Sequence, residues 1–134
     1  MQLQRMLPAF EEHDVAFVTT DAGYRNEVVP HRCYVVNDAS RWNKLRLAQM
    51  ALHVLLVILR ERPNVVISTG AACGYFSIRL GKVVGARTIW IDSIANVDNM
   101  SLSGKLAKRY ADLWLTQWPH LASADGPEYA GAVL

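Results

Sequence analysis

The residues of this sequence that could bind or react are mostly small and hydroxyl-bearing. Ser68, Thr69, Gly70, Ala71 and Ala72 end a short apolar run and open a helical repeat. Side chains this small let a ligand approach backbone N–H groups at a helix start, where an anion is favoured. They also permit a tight strand-to-helix turn, and the pattern alone leaves both readings open. Asp92 and Ser93 end a second apolar run. Asp92 has the chemistry of a base or of a hydroxyl-binding acceptor, and equally that of a cap for the next segment. Ser101, Ser103, Gly104 and Lys105 follow in a polar stretch, where Lys105 suits a phosphate or simply solvent. No Asp-x-Asp pair and no His/Cys/carboxylate cluster has metal spacing. There is no Gly-x-Ser-x-Gly elbow and no Walker-type loop. Ser68–Gly74 is also glycine-poor for a dinucleotide fingerprint. Cys33 and Cys73 stand far apart and read as two reduced thiols.

The elements that position these residues follow from periodicity. Val65-Val66-Ile67 is β-branched without polar alternation, which suits a strand buried on both faces. Phe76, Leu80 and Val83/Val84 recur at helical spacing, Gly85 ends the helix, and Thr88–Ile91 is a second buried strand. This is one βαβ unit with parallel strands. Ser68–Ala72 and Asp92-Ser93 then share the carboxyl edge of the sheet, where open α/β folds bind ligands. Asp14–Thr20 and His31–Val36 read as earlier strands, and Asp112–Gln117 as a later one. Lys44–Arg62 is the longest predicted helix, with Asp38 or Ser40 as its cap and Pro63 as its stop. Its apolar face is Leu45, Ala48, Leu52, Leu55, Leu56 and Leu59, expected to pack as a buried crossover. Its uninterrupted apolar run, Val54–Leu59, is far short of the roughly 20 residues a membrane span needs. A place on a bilayer surface stays open, because Arg41, Lys44 and Arg46 cluster at its start. Tyr129–Leu134 is a last strand or a tail.

The chain of 134 residues is long enough for one domain with a real core, and we expect a single domain over 1–134. Hydrophobic residues make up 51% and charged residues 19%, so the chain is globular. A net charge of +2 gives no argument for nucleic acid. No secretory signal pattern is present. The N-terminal end is unusual. Leu3, Met6, Leu7 and Phe10 form an amphipathic helix from almost the first residue, interrupted by Pro8. A doubly wound domain ordinarily opens with a strand, so we expect the domain to be incomplete at this end, through truncation or a mis-set start.

Four blocks carry a resemblance: Ser68–Cys73, Ile91–Val97, Ser101–Leu106 (Ser-Leu-Ser-Gly-Lys-Leu) and Asp112–Pro119, ending in Gln117-Trp118-Pro119. In this order and spacing they resemble the acceptor-side, membrane-anchoring subunit of split glycosyltransferases. That family includes the anchoring subunit of the N-acetylglucosaminyltransferase acting on dolichol-linked oligosaccharide, and bacterial relatives in exopolysaccharide synthesis. The resemblance covers most of the chain from about Asp14.

It implies a Rossmann-like parallel sheet flanked by helices, like the N-terminal half of a GT-B glycosyltransferase. It lacks that half's first strand and its Gly-Gly-His loop. It implies a small catalytic partner holding the nucleotide-sugar donor, a UDP-sugar, and a lipid-linked sugar acceptor on this chain. It implies no cofactor, no metal and no nucleic acid, and peripheral association with the cytoplasmic face of the membrane. Ser68–Ala72 and Ser101, Ser103, Gly104 and Lys105 would hold the acceptor. Ser93, Asn96, Gln117 and Trp118 would line the cleft. Asp92 is the remaining candidate base, and Tyr129, Val133 and Leu134 would meet the partner. The competing readings are a stand-alone nucleotide- or sugar-binding α/β domain and a truncated, inactive copy.

Overall fold

A computed structural model describes residues 2–40 and 42–132. The N-terminal helix breaks in two. A four-residue turn of helix, α1 (Gln2–Arg5), is followed by a 3-10 turn at Leu7–Phe10. Pro8 accounts for the break, since it cannot donate to a continuing α-helix. Two strands follow, β1 (Ala16–Thr19) and β2 (Arg32–Val35), then the long helix α2 (Lys44–Glu61). The rest alternates: β3 (Val65–Ser68), α3 (Ala71–Val83), β4 (Arg87–Ile91), α4 (Leu102–Ala107), β5 (Leu113–Thr116) and β6 (Glu128–Tyr129).

Every strand pair is parallel, as βαβ connections require, but the expected single sheet is divided. β1 and β2 form one sheet, and β3-β4-β5-β6 form another in sequence order. β1 and β3 do not bond to each other, and among the described residues no strand lies between them. One helix packs between the smaller sheet and α3. Met50, Val54 and Ile58 of α2 are buried with Val36, and Val18 of β1 and Ala72, Cys73, Phe76 and Leu80 of α3 pack around them.

The burial of α2 reverses the face expected from sequence. Met50, Val54 and Ile58 turn inward, while Leu45, Leu52, Leu56 and Leu59 point to solvent. The helix is apolar on two opposite sides, so periodicity could not say which one meets the sheet. Its cap differs too: Asn43, not Asp38 or Ser40, accepts from the Arg46 N–H at 3.1 Å. Arg62 ends it in the left-handed region (φ 48°), immediately ahead of Pro63.

A second core lies between α3, α4 and the larger sheet. Trp90 and Ile78 are fully buried there with Ala107, against Tyr75, Met100, Tyr110 and Trp114. α3 sits close on the sheet because two of its residues lack side chains. A Cβ on Gly81 would come within 2.8 Å of Val66, and one on Gly74 within 2.0 Å of the Ser68 hydroxyl. α3 and α4 each leave the carboxyl end of a strand and pack together, so their N-termini share one edge. No described helix is long and apolar enough to cross a membrane.

Candidate functional site

Two helix starts and three strand ends define the carboxyl edge. At the first, Ser68 is buried and its hydroxyl accepts from the Gly70 N–H at 3.3 Å. Gly70 has φ 150° and Ala71 φ 63°, so two successive residues take positive φ in the turn into α3. Only glycine adopts this freely; Ala71 there stores on the order of 1 kcal/mol of strain. No side chain caps α3, so its first N–H groups point outward without a side-chain partner. Thr69, Gly70 and Ala72 are half-buried around that start, and Ala71 is exposed. The turn therefore has the open, small-residue character that binds an anion at a helix terminus.

Cys73 lies in the first turn of α3. Burial pushes its thiol up to about 11, with the Asp38 carboxylate adding to the effect. It is a neutral thiol at physiological pH and a poor nucleophile.

At the second helix start Asp92 is the organising residue, in a role nearest to the cap for the next segment that the sequence left open beside a base. Its carboxylate is buried and accepts four hydrogen bonds. Trp90 Nε1 (3.1 Å) and the Ser101 hydroxyl (2.6 Å) donate to Oδ1. Asn96 Nδ2 (3.1 Å) and the Ser101 N–H (2.9 Å) donate to Oδ2. A carboxylate so engaged, with 1% of its residue surface exposed, is no general base for a bound substrate. It clasps the β4–α4 loop instead. Ser101 also caps α4, its hydroxyl accepting from the Gly104 N–H at 2.9 Å. Gly104 is required by contact: a Cβ would sit 2.7 Å from Asp92 Oδ1 and 2.9 Å from both Ser101 Oγ and Trp90 Nε1. Its carbonyl accepts from Trp114 Nε1 at 2.8 Å. So Ser101 and Gly104 are committed to the fold, while Lys105 is exposed and Ser103 half-exposed on the same turn.

The end of β5 holds the other side of this loop. Gln117, buried, donates from Nε2 to the Asp92 carbonyl at 2.9 Å. Trp118 donates from Nε1 to the Ile94 carbonyl at 2.8 Å, and His120 meets the Val97 carbonyl. Ser93 closes a local turn by accepting from the Ala95 N–H at 3.2 Å. Sequence reasoning missed Trp90, Trp114 and His120. Trp90 and Trp114 looked like core residues, and His120 had no partner visible in the sequence.

The remaining expectations fall elsewhere. Tyr129 lies on β6, which pairs with β5, and its side chain is 44% exposed. Val133 and Leu134 lie outside the described residues. Among the described residues no group of three or more His, Cys, Asp or Glu side chains could hold a metal ion. A surface depression lined by Leu59, Arg62, Val84 and Arg87 among others is at the opposite edge.

The parallel sheet, the helices on it and the small-residue helix start define the class: part of a GT-B-like α/β fold. The solved structure of MurG from Acinetobacter baumannii superposes with a TM-score of 0.74 over 96% of this chain and 40% of that one, at 10% identity. That likeness establishes the fold, as the sequence led us to expect. The chain itself belongs to the family described as "Oligosaccharide biosynthesis protein Alg14 like", which it matches over residues 19–133. It is similar to proteins named UDP-N-acetylglucosamine transferase subunit ALG14. That of Yarrowia lipolytica is 32% identical over 72 residues, 49% of this chain and 33% of the relative. That of Eremothecium gossypii is 31% identical over 90 residues, 63% of this chain and 37% of the relative. That of Aspergillus fumigatus is 44% identical over 54 residues, 36% of this chain and 24% of the relative. The matches thus span between 24 and 37% of those relatives' length.

Proposed function

We propose that this chain is the acceptor-binding subunit of a two-component glycosyltransferase. It presents a lipid-linked acceptor to a partner that holds a nucleotide-activated sugar, UDP-linked as the names of the fungal relatives suggest. The observation that carries this is the uncapped start of α3, on the same sheet edge as the start of α4, whose Lys105 is exposed. One uncapped dipole end and a cation on the same edge suit a phosphate group. Asp92, Ser101, Gln117 and Trp118 hold the loop between them, and positioning of this kind is what a transfer reaction needs from its acceptor side. The attacking hydroxyl of the acceptor displaces the nucleoside diphosphate at the sugar's anomeric carbon. The proton goes to a base that Asp92, with all four contacts occupied, does not supply. The assembly sits on the cytoplasmic face of a membrane, with no resident metal on this chain.

The test is transfer by the chain reconstituted with its partner subunit. Lys105→Ala should raise the KM for the acceptor about tenfold while leaving the KM for the donor unchanged. Ala71→Glu keeps the backbone demand of its position and places an anion at the helix start. It should leave the melting temperature equal or higher yet weaken acceptor binding. Wild-type acceptor KM in both variants would remove this edge from the acceptor site.

A further inference from the structure

The foot of the larger sheet carries a site that the acceptor edge does not use. A surface depression of about 810 Å³ lies at the amino ends of β3 and β4. Leu59 lines it from the last turn of α2, Arg62 and Val65 from the connection into β3, Val84 from the end of α3 and Arg87 from the start of β4. Its wall is apolar and open to solvent: Leu59, Val65 and Val84 are 52, 46 and 42% exposed. The charged residues lining it are Arg62 and Arg87, both exposed, and no carboxylate stands among them. Neither arginine forms an ion pair among the described residues. Glu61, the acid next in sequence, is held by Arg32 at 2.9 Å and by the Tyr34 hydroxyl. The C-terminal ends of α2 and α3 bring about half a negative charge each, which two full guanidinium charges outweigh. β3 pairs with β4 alone, and among the described residues no strand bonds to its other edge. Main-chain groups beside Val65 are thus open to an extended segment.

We propose that this depression docks an acidic, apolar peptide segment of a protein partner. Aliphatic or aromatic side chains of the segment cover Leu59, Val65 and Val84. Its carboxylates pair with Arg62 and Arg87, whose planar guanidinium groups match carboxylate geometry. Charge complementarity selects an acidic occupant, and the free strand edge selects an extended chain over a small anion. The depression is at the edge opposite the start of α3, so a bound segment leaves the acceptor edge clear. The inference therefore stands apart from the transferase reading.

The experiment is fluorescence anisotropy of the full chain with a labelled pool of short synthetic peptides in which glutamate alternates with leucine, valine or phenylalanine. That spacing puts the acids on one face of an extended strand and the apolar side chains on the other. A second pool carries glutamine for glutamate, and a third carries serine for the apolar residues. The first pool should bind, and the other two should bind about tenfold more weakly or less well still. Methyl NMR shifts on binding should centre on Leu59, Val65 and Val84. Arg62→Gln/Arg87→Gln should bring the glutamate pool down to the affinity of the glutamine pool, and Leu59→Gln should weaken it several-fold. Circular dichroism should be unchanged in both variants, since all three side chains are exposed. No binding by the glutamate pool, methyl shifts away from the depression, or wild-type affinity in the arginine variant overturns the proposal. So does displacement of the peptides by inorganic phosphate at constant ionic strength, which would make this a small-anion site. Self-association of the wild type in sedimentation velocity that the arginine variant loses would make a second copy the occupant, and overturns it too. Peptide binding is read without donor or acceptor, so its failure and that of the transferase reading are distinct.

Discussion

Asp92 and Gly104 set the geometry of the site by mutual dependence. A methyl group at 104 has nowhere to go, because its neighbours are the carboxylate and hydroxyl of the clasp rather than a flexible side-chain end. Gly104→Ala should cost about 1–3 kcal/mol in denaturant unfolding. Asp92→Asn keeps the shape but turns an amide donor toward groups that also donate. It should cost about 2–4 kcal/mol by the same measurement. If Asp92 acted as a base, Asp92→Asn would instead lose transfer at unchanged stability. Ala71→Gly tests the turn into α3. Relief of the positive φ and glycine's extra unfolded-state entropy oppose each other, so stability should stay level or rise by up to ~1 kcal/mol. A clear loss would mean that the turn is not left-handed in solution.

At the scale of elements, a polar cluster ties β2 to the end of α2. Arg32 donates from Nε and Nη2 to Glu61 at 2.9 Å each and from Nη2 to Asp14 at 3.1 Å. Hydrogen bonds from Arg32, then from Tyr34, hold the Glu61 carboxyl below its ordinary value. Lys82, then the Thr88 N–H, does the same for Asp112 at the foot of β5. A folded-state pKa below the unfolded one gives stability that is full above the ordinary carboxylate range. It is lost as pH falls through the depressed value. Glu61→Gln should therefore melt a few degrees below wild type at pH 7. The gap should close as the pH falls below about 4. A pH-independent gap would assign the loss to packing rather than to charge.

For the molecule as a whole, the outer strand is where the proposed assembly can be tested. β6 completes the larger sheet through its backbone, while the Tyr129 side chain remains half in solvent. Tyr129→Ala should lower the melting temperature little and weaken binding to the partner subunit about tenfold, as loss of an aromatic anchor does. A large drop in melting temperature with unchanged affinity would instead make Tyr129 part of this chain's own core. Among the described residues the buried cluster of α2 links the smaller sheet to α3, so substitutions at Val54 test the cooperativity of the two sheets. Val54→Ala should cost about 2–4 kcal/mol in a single transition.

The sequence by itself determined the alternation of strands and helices from β3 to β5. Unbroken β-branched runs with a helical repeat between them leave few other structures. It also determined the family, through Ser-Leu-Ser-Gly-Lys and Gln-Trp-Pro, and the sheet edge on which their residues gather. Only the tertiary structure decided what each of those residues does there. Ser101 and Gly104 look alike in sequence as ligand-binding residues, yet one caps and clasps while the other makes room. Asp92 reads equally as a base, a hydroxyl acceptor or a cap until Trp90, Asn96 and Ser101 occupy it. The outward leucines of α2 were equally hidden. A helix apolar on both sides has no preferred burial until a sheet and a neighbouring helix claim one of them, and that choice depends on contacts far apart in the chain.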